Sequence, residues 1–302
     1  MKHTLKEWFM VTRPWGYALS ILPAALAVAY VFFENSVTPL DVNWWYGILA
    51  VIASPILQAG GNMMSDYYDY KNNVDRKETY GSSRMLVNKQ FEPREVYWFS
   101  ISMMVIGNII GIYLLLNTSW HLLWIGLAGI IGSYFYFFMK YRALGDLNIF
   151  IIYGQLISLG TYLVMTNALS WKMLLVAAAP GFLIVNVLHA NNTRDIKHDG
   201  VAKIKTAAMH LGIKGSIIYY TVFTYGAYLL IGLCVVFGIQ HWATLIIFIS
   251  FPMALKLIKQ MRTADKEKPE NIQRLDEGTA QLVMVYMLLL VIGNFAGGFL
   301  NA

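Results

Sequence analysis

The sequence predicts an all-α integral membrane protein of nine transmembrane helices with a cytoplasmic N-terminus. Three observations carry that prediction: the composition, the length of the apolar stretches and the placement of basic residues. Of 302 residues, 57% are hydrophobic and 13% charged, and the mean hydropathy is +0.51. No stretch has the composition of a soluble domain, so residues 1–302 read as a single transmembrane domain.

A hydrocarbon core of roughly 30 Å takes about 20 helical residues to cross. Stretches near 15–34, 43–64, 97–117, 120–138, 149–167, 171–191, 216–238, 241–258 and 280–300 meet or approach that length. Basic residues test the count, because cytoplasmic loops collect Lys and Arg. Lys2, Lys6 and Arg13 precede the first stretch; Lys71, Arg76, Lys77, Arg84, Lys89 and Arg94 follow the second; Lys140 and Arg142 follow the fourth. Arg194, Lys197, Lys203, Lys205 and Lys214 follow the sixth, and Lys256, Lys259, Arg262, Lys266, Lys268 and Arg274 the eighth. With nine spans, every basic residue but Lys172 falls on one side. The N-terminus is then cytoplasmic and the C-terminus lies across the membrane.

The net charge of +6 and the pI near 9.2 come from these loops. They suit an anionic leaflet and anionic ligands, and no aromatic-basic module points to nucleic acid. The rival reading of the N-terminus, a cleaved leader, is disfavoured by a long apolar stretch and the lack of a small-residue cleavage site. The single Cys234 excludes a disulfide scaffold or a Cys-rich metal site. There is no zinc-type His pair, Walker loop, Gly-x-Gly-x-x-Gly or nucleophile elbow.

Two acid clusters sit at the ends of apolar stretches, Asn62 to Asp69 continuing to Asp75, and Asn191 to Asp199. On a helix of 3.6 residues per turn, Asn62, Asp66 and Asp69 share one face, as do Asn192, Asp195 and Asp199. Two such faces turned together make a carboxylate cage for hard divalent cations. Magnesium prefers one or two carboxylates with water and phosphate oxygens, which points to a metal-bridged diphosphate substrate. Either cluster alone is also what a capped, solvated helix end looks like; the pairing favours function.

The loops after the clusters, roughly 70–96 and 196–215, carry Arg84 and then Lys203 and Lys205. These are read as holding diphosphate oxygens, against the ordinary positive-inside excess. Tyr68 and Tyr153 are singled out because one adjoins the expected cage and the other lies on a stretch entering it. The aromatic run at 134–138 reads as an interfacial belt.

The chain resembles the UbiA superfamily of intramembrane aromatic prenyltransferases, and within it the 1,4-dihydroxy-2-naphthoate prenyltransferases of menaquinone synthesis. The resemblance runs nearly end to end. It rests on Thr12-Arg13-Pro14-Trp15, on Ser65 to Asp75, on Tyr141-Arg142-Ala143-Leu144-Gly145-Asp146, and on Asn191-Asn192-Thr193-Arg194-Asp195 through Asp199, with Lys203, Lys205 and His210-Leu211-Gly212 continuing it. Ser65 and Asn73 depart from the family's first motif, where Asn62 and Asp75 stand as compensating ligands.

The resemblance implies a nine-helix bundle around a central cavity in the inner (plasma) membrane, with its active site facing the cytoplasm. It implies Mg2+ as cofactor, a polyprenyl diphosphate donor and an aromatic acceptor. Asp66, Asp69, Asp75, Asp195, Asp199 and Asn62 would hold metal, and Asn191 and Asn192 would contact substrate. Asp146 is the candidate base and Arg142 binds the acceptor's acid group; the alternative is that both anchor a loop end. Other acceptors of the superfamily, 4-hydroxybenzoate, homogentisate, a chlorophyll precursor or haem, are the rival enzyme readings. An ion-coupled transporter is the rival class, though transporter sites usually lie at the midplane on broken helices.

Overall fold

The structure is a computed structural model that describes residues 3–73, 84–140, 142–201 and 205–301. Among the described residues it is all helical. A short helix, α1 (Leu5–Val11), opens with a capping box in which Glu7 accepts from the Thr4 amide and hydroxyl at 2.7 and 2.8 Å. Those bonds hold the Glu7 carboxyl below the usual range. α1 exposes Leu5 and Phe9, while Trp8 packs edge-on against Phe91 and Phe99.

A 3-10 turn at Pro14–Gly16 leads into α2 (Ala18–Val37). α3 (Trp44–Lys71) is capped by Asn43 and runs for 28 residues. At 1.5 Å per residue that is about 42 Å, some 12 Å more than a hydrocarbon core. The excess carries the first acid cluster past the apolar stretch. α4 (Pro93–Asn117) begins with Pro at N1 and a Glu92–Glu95 capping box.

Among the described residues, eight of the nine expected spans appear as helices long and apolar enough to cross a membrane. The stretch 120–138 is the exception. It divides at Phe135 into α5 (His121–Tyr134) and α6 (Tyr136–Lys140), and α5 at 14 residues is only about 21 Å long. The apolar run in the sequence hid this break because Phe135 and its aromatic neighbours are as hydrophobic as a helix interior.

α7 (Gly145–Ile151) passes through a π-helical turn at Ile152–Leu156 into α8 (Ile157–Thr166). α9 (Trp171–Arg194) is capped by Ser170 and followed by the short α10 (Ile196–Val201). α11 (Ala207–Val236) is kinked at Gly212, whose φ of 64° suits a residue without Cβ. A nine-residue 3-10 run, Trp242–Ser250, precedes α12 (Phe251–Met261), and α13 (Leu275–Asn301) completes the chain's helices.

α13 packs along α2, α9 and the 3-10 run, so the first and last long helices are neighbours. The core lies among α2, α9, α11 and α13, with Tyr30, Leu183, Tyr220 and Tyr286 fully buried. Within lipid, helices gain little from hydrophobic exclusion, and interhelical hydrogen bonds contribute to pinning them. Here Asn186 donates to the Tyr220 carbonyl at 2.9 Å, Tyr286 to the Ala227 carbonyl at 2.8 Å, and Ser158 to the Pro23 carbonyl at 3.0 Å.

Candidate active site

The first acid cluster occupies the last turns of α3, and its carboxylates face inward: Asp66 is 2% exposed and Asp69 5%. Burying a carboxylate is costly unless it is paired and hydrogen-bonded. Arg13 is the partner of Asp66, its Nε donating to Oδ2 at 3.2 Å and its Nη2 to Oδ1. Arg13 has a φ of 59°, a left-handed conformation rare for a side-chain-bearing residue, just before Pro14. Ser65 Oγ stands 3.5 Å from Asp69 Oδ2. Asn62 is on the same helix face, but its amide reaches toward the Thr12 carbonyl at 3.5 Å.

The second cluster differs from the expected single helix face. α9 ends at Arg194, Asp195 takes φ −93° and ψ 7°, and the chain restarts as α10. Asn192, Asp195 and Asp199 therefore do not share one continuous helix. Arg194, at the break, is more than the loop cation the sequence suggests. Its buried guanidinium grips Asp195 with two bonds of 2.9 and 2.8 Å, reaches Asp276 at 3.0 Å and the Gln273 carbonyl at 3.1 Å, and contacts Asn191. The second acid cluster is thus tied to the start of α13.

A third group forms where α7 meets α9. Asp146, 6% exposed, takes a 2.8 Å bond with His189 Nδ1 and a 3.4 Å bond from Asn192. Tyr219 of α11 stacks on the His189 ring at 4.2 Å. The close fit of the π turn on α9 sets this meeting. Gly154 and Gly181 touch so closely that a Cβ on either would stand 2.9–3.0 Å from the other's Cα. π turns recur at functional sites because they re-aim the residues that follow, and this one carries Tyr153.

Tyr153 lines an apolar cavity of about 300 Å³ between α3, α4, α5 and α8, together with Gln58, Asn108, Ser133 and Tyr134. Tyr68 is hydrogen-bonded to Tyr134, which joins the first acid cluster to the cavity rim. Arg142 stacks over Phe138 at 3.7 Å and is exposed, so it and the buried Asp146 stand in different surroundings although four residues apart. Arg84, with φ 58°, and Lys205 are exposed. Asp75, Lys203 and the side chain of Asp199 lie outside the described residues.

Among the described residues, no three His, Cys, Asp or Glu side chains converge as a metal site. Of the four carboxylates expected in the cage, the side chain of Asp199 lies outside the described residues, and Asp66 and Asp195 each engage a guanidinium group. The donors that are present still fit magnesium. Asp66 and Asp69 offer buried, all-oxygen ligands one turn apart, and a hard cation taking one or two carboxylates and completing its shell with phosphate and water asks no more.

Comparison with known proteins accords with this arrangement. The model of the UbiA prenyltransferase family matches residues 21–285. UbiA prenyltransferase domain-containing protein 1 of Gallus gallus is 30% identical over 95% of this chain and 84% of its own. The 1,4-dihydroxy-2-naphthoate octaprenyltransferase of Bacillus subtilis is 26% identical over 94% of this chain and 91% of its own. Among solved structures, a UbiA homologue from Archaeoglobus fulgidus bound to GPP and Mg2+ superposes with a TM-score of 0.66 at 12% identity, covering 94% of this chain and 99% of that one. With a family model spanning most of the chain and the acid clusters at the ends of α3 and α9, this protein belongs to the UbiA prenyltransferase family.

Proposed function

We propose that the protein transfers a polyprenyl group from a polyprenyl diphosphate to 1,4-dihydroxy-2-naphthoate, with loss of the acceptor's carboxylate and release of diphosphate, in menaquinone biosynthesis. The observation that carries the reading is the pairing of buried carboxylates with an apolar cavity. Asp66 and Asp69 stand at one end of α3, and Gln58, two turns earlier on the same helix, lines the cavity. Asp66, Asp69 and Asp195, with Asp75 and Asp199 of the same motifs, would hold Mg2+. When bound, that ion supplies the charge neutralisation a departing diphosphate requires.

The protein's own groups supply the rest. Arg84, Lys203 and Lys205 hold diphosphate oxygens, and the apolar walls beside Tyr153 keep water from the allylic cation. Asp146 takes the acceptor's phenolic proton, which raises electron density on the ring. The nine-span topology, with the N-terminus and both acid clusters on the cytoplasmic side of the plasma membrane, follows from the placement of the basic residues. The naphthoate branch is supported by the Tyr141 to Asp146 motif and by the Bacillus subtilis relative.

The test is a product assay with purified protein, Mg2+ and one prenyl diphosphate against several aromatic acceptors. Attack at the carboxylate-bearing carbon of the naphthoate blocks rearomatisation until carboxylate leaves, so prenylation and carbon dioxide release should be equimolar. Prenylation of 4-hydroxybenzoate with no activity on the naphthoate would assign the chain to another branch of the family.

A further inference from the structure

Among the described residues, His189 is the one fully buried histidine, and the proposed chemistry does not use it. It is 0% exposed, its Nδ1 is 2.8 Å from Asp146 Oδ2, and its Nε2 is buried with no hydrogen-bond partner. One face of the ring is covered by Tyr219, itself stacked on Phe223 at 4.2 Å. A histidine placed only to fill space has no need of a carboxylate. One placed to meet substrate would not have its outer nitrogen sealed off.

The orphaned Nε2 decides which proton the ring carries. If Nε2 were protonated, the structure would hold a buried N–H with no acceptor, which costs the full desolvation of that donor, and more for an imidazolium. Unpaired acceptors are better tolerated than unpaired donors. The arrangement that avoids the orphan donor is a neutral ring with its proton on Nδ1, donated to Asp146. The Asp146 carboxylate then receives Nδ1–H on one oxygen and the Asn192 amide on the other, the Tyr219 hydroxyl adds a third hydrogen bond, and one lone-pair site is left for a substrate proton.

We infer that His189 is a positioning residue, a neutral Nδ1-protonated imidazole that holds the Asp146 carboxylate in one orientation for proton removal from the aromatic acceptor. This rests on the function proposed above and adds to it a residue that touches no substrate. The bond also ties α9 to α7, so the orientation of Asp146 is set by the same helix that ends in the second acid cluster.

Two substitutions separate positioning from packing. His189→Asn places an amide N–H where Nδ1 stood and gives up the stacked ring; His189→Phe keeps the ring over Tyr219 and gives up the donor. Steady-state kinetics with farnesyl diphosphate and 1,4-dihydroxy-2-naphthoate should show His189→Phe lowering kcat about 100-fold and His189→Asn less than about tenfold, the scale expected when a catalytic group is misplaced by about 1 Å. The donor KM should be unchanged in both.

The reverse order, Phe active and Asn inactive, would make His189 a packing residue and overturn the inference. A second measurement does not depend on turnover. In magic-angle-spinning NMR of protein labelled with [15N]histidine at pH 7, the signal lost in His189→Asn should be that of a neutral ring protonated on Nδ1. A ring protonated on Nε2, or on both nitrogens, would equally overturn it. Wild-type protein inactive on every aromatic acceptor would count against the proposed function alone, and the NMR signature would still decide the state of His189.

Discussion

Replacing Arg194 should loosen the second acid cluster and α13 together, and the size of the effect follows from what the guanidinium touches. The side chain is 4% exposed and pairs with Asp195 and Asp276, whose side chains are 14% and 21% exposed. Removing one partner of a fully buried ion pair costs about 3–5 kcal/mol, because the other charge is left unpaired. Both carboxylates here retain some water, so part of that loss is recovered and Arg194→Ala should cost about 2–3 kcal/mol. At about 2–4 °C per kcal/mol for a chain of this size class, the midpoint falls by about 4–12 °C.

The informative assay is a double-mutant cycle on Arg194 and Asp276, read by thermal unfolding in nanodiscs. Arg194→Ala, Asp276→Asn and the double variant should give a coupling of about 1–2 kcal/mol. Arg194→Lys should recover little, since a point charge cannot reproduce two parallel bonds to Asp195 together with those to Asp276 and the Gln273 carbonyl. A coupling under about 0.5 kcal/mol would refute the clamp and leave Arg194 an ordinary interfacial cation.

Asp66→Asn, Asp69→Asn, Asp195→Asn and Asp199→Asn should each nearly abolish turnover while the protein elutes as a folded species; near-normal activity in any two would discard the metal assignment. Arg84→Ala, Lys203→Ala and Lys205→Ala should weaken prenyl-diphosphate binding more than acceptor binding, as measured by calorimetry with Mg2+ present, and unchanged donor affinity in all three would return them to the positive-inside excess. Lys197 holds the exposed Glu267 carboxyl below the usual range through a 2.7 Å bond. A depressed folded-state value means that this pair's small contribution is present above the ordinary glutamate range and lost as pH falls through the lowered value. Wild type and Lys197→Met should therefore differ in stability at neutral pH and converge in acid, and a difference that grew on acidification would contradict the pairing.

The sequence was most legible where a signal is local. Hydropathy located eight of the long helices, and the i, i+4, i+7 spacing of Asn62, Asp66 and Asp69 correctly placed them on one face of α3. Local signals failed at two kinds of place. Phe135 breaks the fourth stretch without changing its hydrophobicity, and Asp195 ends α9 although nothing in Asn191 to Asp199 is a helix breaker of the Gly or Pro kind. At Asp195 the break adjoins a contact from elsewhere in the chain, Arg194 with Asp276.

The same distinction explains why the acids were legible and their partners were not. Arg13 and Asp66 are 53 residues apart, Asp146 and His189 are 43 apart, and Arg194 and Asp276 are 82 apart. Periodicity reports which face of a helix a residue occupies; it carries no record of which other helix that face meets. One hint was available. An Arg immediately before Asp195 is poorly placed as a free loop cation, since it adjoins an acid at a helix end, and a carboxylate drawn into a membrane protein requires a donor or a cation. That requirement links each of these carboxylates to its cation or donor, Arg13 for Asp66, Arg194 for Asp195 and His189 for Asp146.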